Sequence, residues 1–266
     1  MNPETSPNPP SDLASDSPAE SLETPPEAKP LPRASHAFWW MLVISLLYGV
    51  ASSLYGFGYA IYATFKGVEE SELSQQLLQH LSTLDGISGM YVLQFVAVIP
   101  VLLILSHFKT QSWKETLALK KTPLKVILLW IGYWAAYQVV ATIVSEFITL
   151  PENPFDETML GPKSLLTILV VIGLAPIMEE LIFRGYLFKA WRPTWLGSHG
   201  VVILTSFLFA CIHIGQYHWI VLLQLMLLAM IIGYAREKTG SLIPCIAIHA
   251  TNNLYALVAI SLFPEG

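Results

Sequence analysis

After Arg33 the chain reads as apolar blocks separated by short polar stretches. Each block is about 17 to 25 residues long, enough at about 1.5 Å per residue to cross a hydrocarbon layer of about 30 Å. Seven such blocks predict seven membrane-spanning helices, at about 37–62, 86–108, 124–148, 164–188, 199–216, 218–235 and 241–262. Trp39, Trp40, Trp191, Trp195, Tyr217, Trp219 and Tyr234 fall near the block ends, where amphipathic rings suit the interface. Between the first two blocks, Leu73, Leu77, Leu81 and Leu84 repeat at helical spacing after Glu69 and Glu70. That pattern predicts an amphipathic helix lying on the membrane surface.

The expected architecture is therefore all-α, a polytopic transmembrane helix bundle of about seven spans. Its N-terminal spans fill 34–158 and its chemistry-bearing helices 159–266. Composition agrees, with 54% hydrophobic and 12% charged residues and a mean hydropathy of +0.55. Residues 1–33 differ from the rest: they hold nine of the eighteen prolines and six acidic residues. They read as a disordered acidic, proline-rich tail. The tail lacks the basic start and apolar core of a secretory signal, so the first span is expected to direct insertion. A net charge of −5 with 14 Lys and Arg gives no surface for nucleic acid, and the apolar composition makes the bilayer a partner. Two cysteines, Cys211 and Cys245, both inside apolar runs, support neither a disulfide framework nor a multi-cysteine zinc site.

Loop charge orients the bundle. Lys109, Lys114, Lys120, Lys121 and Lys125 fall between the second and third blocks, so that loop is expected on the cytoplasmic side. Alternation places the N-terminus, Arg184, Lys189, Arg192, Arg236 and Lys238 there too. Glu69, Glu70, Glu72, Asp85, Glu152, Asp156 and Glu157 fall outside.

Ionisable side chains inside a span cost about 2.5 to 3.5 kcal/mol each on insertion scales and mark candidate sites. Glu179 and Glu180 sit five and four residues before Arg184 at the end of an apolar run. On a helix Glu180 and Arg184 share a face and can pair, while Glu179 points about 100° away, free to face a cavity. Pro176 cannot hydrogen bond backwards, which predicts a kink or wetted backbone there. His213 stands alone in its block, four residues after Phe209; His249 and Asn253 share one face of the last block. Asn252 points elsewhere and reads as an interhelical hydrogen bond or a kink support.

A carboxylate beside an imidazole in a low-dielectric cavity is a general-base site for activating water. A second imidazole and a carboxamide can donate to a developing oxyanion, the remaining need in amide hydrolysis. Glu179, His213 and His249 equally offer zinc three ligands with one open position, and the residues alone do not choose. Cys245, four residues before His249, is a weak alternative nucleophile; both cysteines fit packing better. No long internal repeat is evident, which weakens an ion-coupled transporter.

The three motifs, Glu-Glu-x-x-x-Arg at 179–184, Phe-x-x-x-His at 209–213 and His-x-x-x-Asn at 249–253, resemble the CPBP family of intramembrane proteases, the type II CAAX prenyl endopeptidase or Abi family. The likeness runs over about 160–260 and includes Pro176, Phe183-Arg184-Gly185 and Thr239-Gly240-Ser241-Leu242. It implies an intramembrane endopeptidase in which Glu179 and His213 activate water and His249 and Asn253 assist the oxyanion. Glu180 and Arg184 would support that arrangement. The implied substrate is a peptide or membrane-anchored protein, in CAAX-like processing or in bacteriocin immunity or processing, with zinc assistance left open. The alternatives are a catalytically silent immunity or interaction protein and, third, an ion-coupled transporter. A multi-pass protein of a bacterial plasma membrane is the expected setting.

Overall fold

The computed structural model describes residues 33–107, 112–148 and 158–262. The acidic tail expected at 1–33 lies almost wholly outside them, as do Lys109, Glu152, Asp156 and Glu157. Helices carry the fold and no strand occurs among the described residues. They are α1 (Ala34–Phe65), α2 (Glu70–Leu81), α3 (Leu84–Leu105), α4 (Trp113–Thr116), α5 (Leu124–Ser145), α6 (Leu165–Trp191), α7 (Gly197–Cys211), α8 (Trp219–Thr239) and α9 (Ile243–Leu262).

Among the described residues, six of these helices (α1, α3, α5, α6, α8 and α9) are long and apolar enough to cross a bilayer. The chain is a multi-pass membrane protein. The expected count of seven is corrected at α7, which has 15 residues. At about 1.5 Å per residue it reaches only about 22 Å. It stops because Ile212 and His213 enter a turn and Gly215 takes a left-handed φ of +91°. The predicted fifth span at 199–216 therefore ends five residues early, and His213 lies beyond the helix rather than within it.

The amphipathic helix is present as α2, but Leu84 belongs to α3. Thr83 separates the two by accepting from the Gly86 amide as the cap of α3. The His80 ring stacks on Tyr59 at 3.9 Å and its Nε2 lies 3.0 Å from Tyr55 Oη, which moors α2 to α1. Burial there lowers the His80 pKa from its ordinary value.

The basic loop between α3 and α5 docks instead of trailing in solvent. Ser112 and Glu115 form a reciprocal cap that starts α4. Beyond it, Ala118 O accepts from the Leu242 amide at 2.9 Å, and Lys120 O accepts from Ser241 Oγ at 2.7 Å. Gly240 supplies the left-handed turn, φ 63°, that ends α8 and presents Ser241 and Leu242 to this loop. Leu117 is fully buried and lies so close to Gly185 that a Cβ there would come within 3.0 Å of its Cδ2.

Leu117 is thus a core residue carried on a loop. Leu117→Ala should destabilise the bundle by about 2 to 5 kcal/mol, the cost of an unfilled apolar site. Unfolding by denaturing-detergent titration checks this, and a change within about 0.5 kcal/mol would contradict the docked loop.

Candidate active site

The site is built on α6, which is not a uniform α-helix. Val170–Leu174 and Leu181–Leu187 are wide π turns on either side of the α-helical turn Ala175–Glu180. Such turns shift the register of the residues beyond them and leave carbonyls available to other partners. In the first, the Ala175 amide bonds five residues back to Val170 O. The next amide in that pattern would belong to Pro176, which has no N–H. Val171 O is left over, and Asn253 Nδ2 of α9 donates to it at 2.9 Å. The kink expected at Pro176 is realised as this exchange of a backbone donor for a side-chain one.

Glu180 pairs with Arg184 as the spacing predicts. Glu180 and Arg184 are both 0% exposed, and Arg184 Nη1 lies 3.1 Å from Glu180 Oε1. Arg184 Nη2 also donates to Ala229 O of α8 at 2.9 Å, and its guanidinium stands 4.9 Å over the Phe209 ring of α7. A second arginine closes the arrangement: Arg236 Nε donates to Arg184 O at 2.9 Å, with its head over Phe188 at 5.1 Å.

His249 bridges the two acids. Its Nδ1 lies 2.9 Å from Glu180 Oε1, an arrangement in which Nδ1–H donates, and its Nε2 faces Glu179 Oε2 at 3.8 Å. Glu179 is not the free carboxylate that the spacing suggested. Tyr91 Oη of α3 donates to its Oε1 at 2.5 Å. Behind Tyr91, Tyr48 Oη of α1 lies 3.3 Å from the Tyr91 hydroxyl and 3.6 Å from Met178 Sδ.

The structure brings Glu179, Glu180, Arg184 and His249 together. Asn253 sits one turn along α9 but is committed through one N–H to Val171 O. His213 is set apart: its Nδ1 lies 2.8 Å from Phe209 O, and its ring packs on Phe209 at 4.9 Å. Phe209 also touches His249, at 5.6 Å on centroids, so both imidazoles pack on one phenyl ring. Asn252 accepts from Trp134 Nε1 at 3.1 Å, the interhelical bond expected of it. Cys245 is fully buried with Sγ on the Ile232 and Ser241 carbonyls, and His249 Nδ1, turned to Glu180, is no base for it.

A metal fits this arrangement poorly. Among the described residues no three His, Cys, Asp or Glu side chains are placed to hold one ion. Glu179, His213 and His249 do not form such a group, and the His213 Nδ1 is already on Phe209 O.

Sequence reasoning missed Tyr91, Tyr48 and Arg236. The available signal for Tyr91 was position: it lies well inside an apolar run, away from the interface where tyrosines collect. Arg236 was assigned to a cytoplasmic end, yet it is 7% exposed.

Residues 161–255 match the type II CAAX prenyl endopeptidase Rce1-like family, in agreement with the three motifs. The "Uncharacterized 24.3 kDa protein" of Escherichia coli is 30% identical over 128 residues, 45% of this chain and 57% of that protein. The chain thus spans less than two thirds of that relative's length. "UPF0177 protein YxdF" of Lactococcus lactis subsp. lactis (strain IL1403) is 28% identical over 132 residues, 49% of this chain and 70% of the relative. No solved structure matches the chain.

The buried pair makes a definite demand on stability. Arg184→Ala strips Glu180 of its cation and should cost about 3 to 5 kcal/mol, whereas Glu180→Gln with Arg184→Met should recover most of that loss. Thermal unfolding of the three proteins in one detergent checks it; equal loss in the double variant would contradict the pairing.

Proposed function

We propose that this protein is an intramembrane endopeptidase in which Glu179 activates water beside His249. The observation that carries the reading is the 3.8 Å separation of Glu179 Oε2 and His249 Nε2, both side chains buried and the imidazole edge-on to the Phe209 ring. Two polar atoms at that separation can both hydrogen bond to one oxygen that lies beside them, off the line that joins them. Neither needs to move to receive a water or, later, an oxygen of a tetrahedral intermediate. Low surrounding polarity strengthens every such interaction.

In the proposed reaction, the water oxygen attacks the scissile carbonyl carbon as its proton passes to Glu179. The carbonyl π electrons go to oxygen, and the oxyanion is met by N–H donors. Glu179 then returns the proton to the amide nitrogen as the carbon–nitrogen bond breaks. Glu180 keeps His249 in one tautomer, which leaves Nε2 for the reacting group. Asn253 Nδ2 carries a second hydrogen beyond the one on Val171 O and can serve the oxyanion. His213 has its Nδ1 turned to Phe209 O, which leaves Nε2 for a substrate that reaches the turn after α7. No step runs through a metal, because the ligand set does not assemble.

The match to the Rce1-like family supports a CAAX-type or other membrane-anchored peptide as substrate. The bacterial relatives support a bacterial plasma membrane, and the docking of the Lys120 loop beside the α8–α9 turn gathers basic residues at one end of the bundle. That end, with the N-terminus, is proposed to face the cytoplasm.

Cleavage of a quenched, lipid-anchored CAAX-type peptide by purified protein tests the proposal. Glu179→Gln should lose at least about 1,000-fold in kcat/KM with the fold intact, and a chelator should leave the wild-type rate unchanged. A Glu179→Gln protein that cleaves at the wild-type rate would overturn the role of Glu179, and wild type that cleaves no peptide would favour a silent immunity protein.

A further inference from the structure

The match to the Rce1-like family begins at residue 161, yet the carboxylate read here as the base is held by a residue from α3. We propose that Tyr91 is a positioning residue of the active site, which fixes the carboxyl plane of Glu179 so that Oε2, and not Oε1, is turned to His249. The proposal rests on the reading of Glu179 as the water-activating group.

The terminal torsion of a glutamate is broad and weakly restrained, so burial alone does not set which oxygen faces which neighbour. Two contacts do so here. Tyr91 Oη takes Oε1 at 2.5 Å, and the remaining oxygen lies 3.8 Å from His249 Nε2. Without the phenol, the same torsion lets either oxygen close on the imidazole and fill the gap in which water is to bind.

Tyr91 is itself held. Its ring meets Tyr48 edge to face at 6.3 Å, and the Tyr48 hydroxyl lies 3.3 Å behind its own. On the same side of α3, Ser88 Oγ lies 3.3 Å from Thr167 Oγ1 of α6, and Gln94 Nε2 donates to Ser52 Oγ of α1 at 2.9 Å. Ser88, Tyr91 and Gln94, three residues apart in turn, thus bond α3 to its neighbours above, at and below the carboxylate. A hydroxyl buried this deep costs free energy unless paired, and its pairing here is to a charged group, the stronger kind. Packing alone would be served by phenylalanine; the hydroxyl is spent on Glu179.

The test uses the full chain in nanodiscs and two readouts. With glutamate carboxyl carbons labelled by carbon-13, the infrared carboxyl band of Glu179 is identified as the band missing from Glu179→Gln. Tyr91→Phe should move that band, and Tyr48→Phe, whose hydroxyl does not touch the carboxylate, should move it less. On the lipid-anchored CAAX-type peptide, Tyr91→Phe should lower kcat about 10- to 100-fold with KM changed less than about twofold. A band unmoved in Tyr91→Phe overturns the proposal, as does a moved band with kcat intact. Wild type that cleaves no peptide overturns the protease reading instead, and the band alone then decides whether Tyr91 orients Glu179.

Discussion

Glu180 and Arg184 form an ion pair with no exposed surface inside a membrane bundle, and the rest of the site is arranged by what that pair requires. Removing two charges from water costs several kcal/mol each, and their mutual attraction offsets this only when further polar partners are supplied. Each neighbouring helix supplies one: α8 gives the Ala229 carbonyl, α9 gives His249, and α7 gives the face of Phe209. A pair of this kind adds little net stability over an apolar substitute. What it adds is geometry, since three helices are brought to fixed distances around one turn of α6.

That geometry gives two adjacent, chemically identical side chains different environments. Glu180 is enclosed by a guanidinium and an imidazole and is committed to structure. Glu179 is turned about 100° away by the helix and meets a phenol on one oxygen and open imidazole nitrogen on the other. Distinct roles for two carboxylates follow from environment alone. The π turns belong to the same logic. They let Pro176 sit in a buried helix because the carbonyl it cannot satisfy is taken by Asn253, so α6 and α9 are joined by a bond that a regular helix would not have offered.

The sequence made much of this legible, and the failures have physical causes. Apolar run length located the spans because hydrocarbon thickness sets it. It misjudged α7, where a short helix followed by apolar turn residues Ile212 and Ile214 looks like one longer run. Four-residue spacing read the Glu180–Arg184 pair correctly, since side chains one turn apart meet wherever the helix goes. Spacing cannot report partners from distant helices, so Tyr91 on Glu179 and Val171 O on Asn253 were out of reach. Motif order likewise says nothing of the Phe209 ring, on which both His213 and His249 pack.

The family match covers 161–255 and Tyr91 and Tyr48 lie before it, so on the proposed reading the N-terminal helices also orient the carboxylate on which the chemistry turns. The central claim is that Glu179 acts on water and does not itself attack the peptide. A single turnover on the lipid-anchored peptide in oxygen-18 water, with protein in excess, tests this directly. One heavy oxygen is expected in the new C-terminal carboxylate of the product. An unlabelled product, with the heavy oxygen found on Glu179 instead, would show covalent attack by the carboxylate and contradict it.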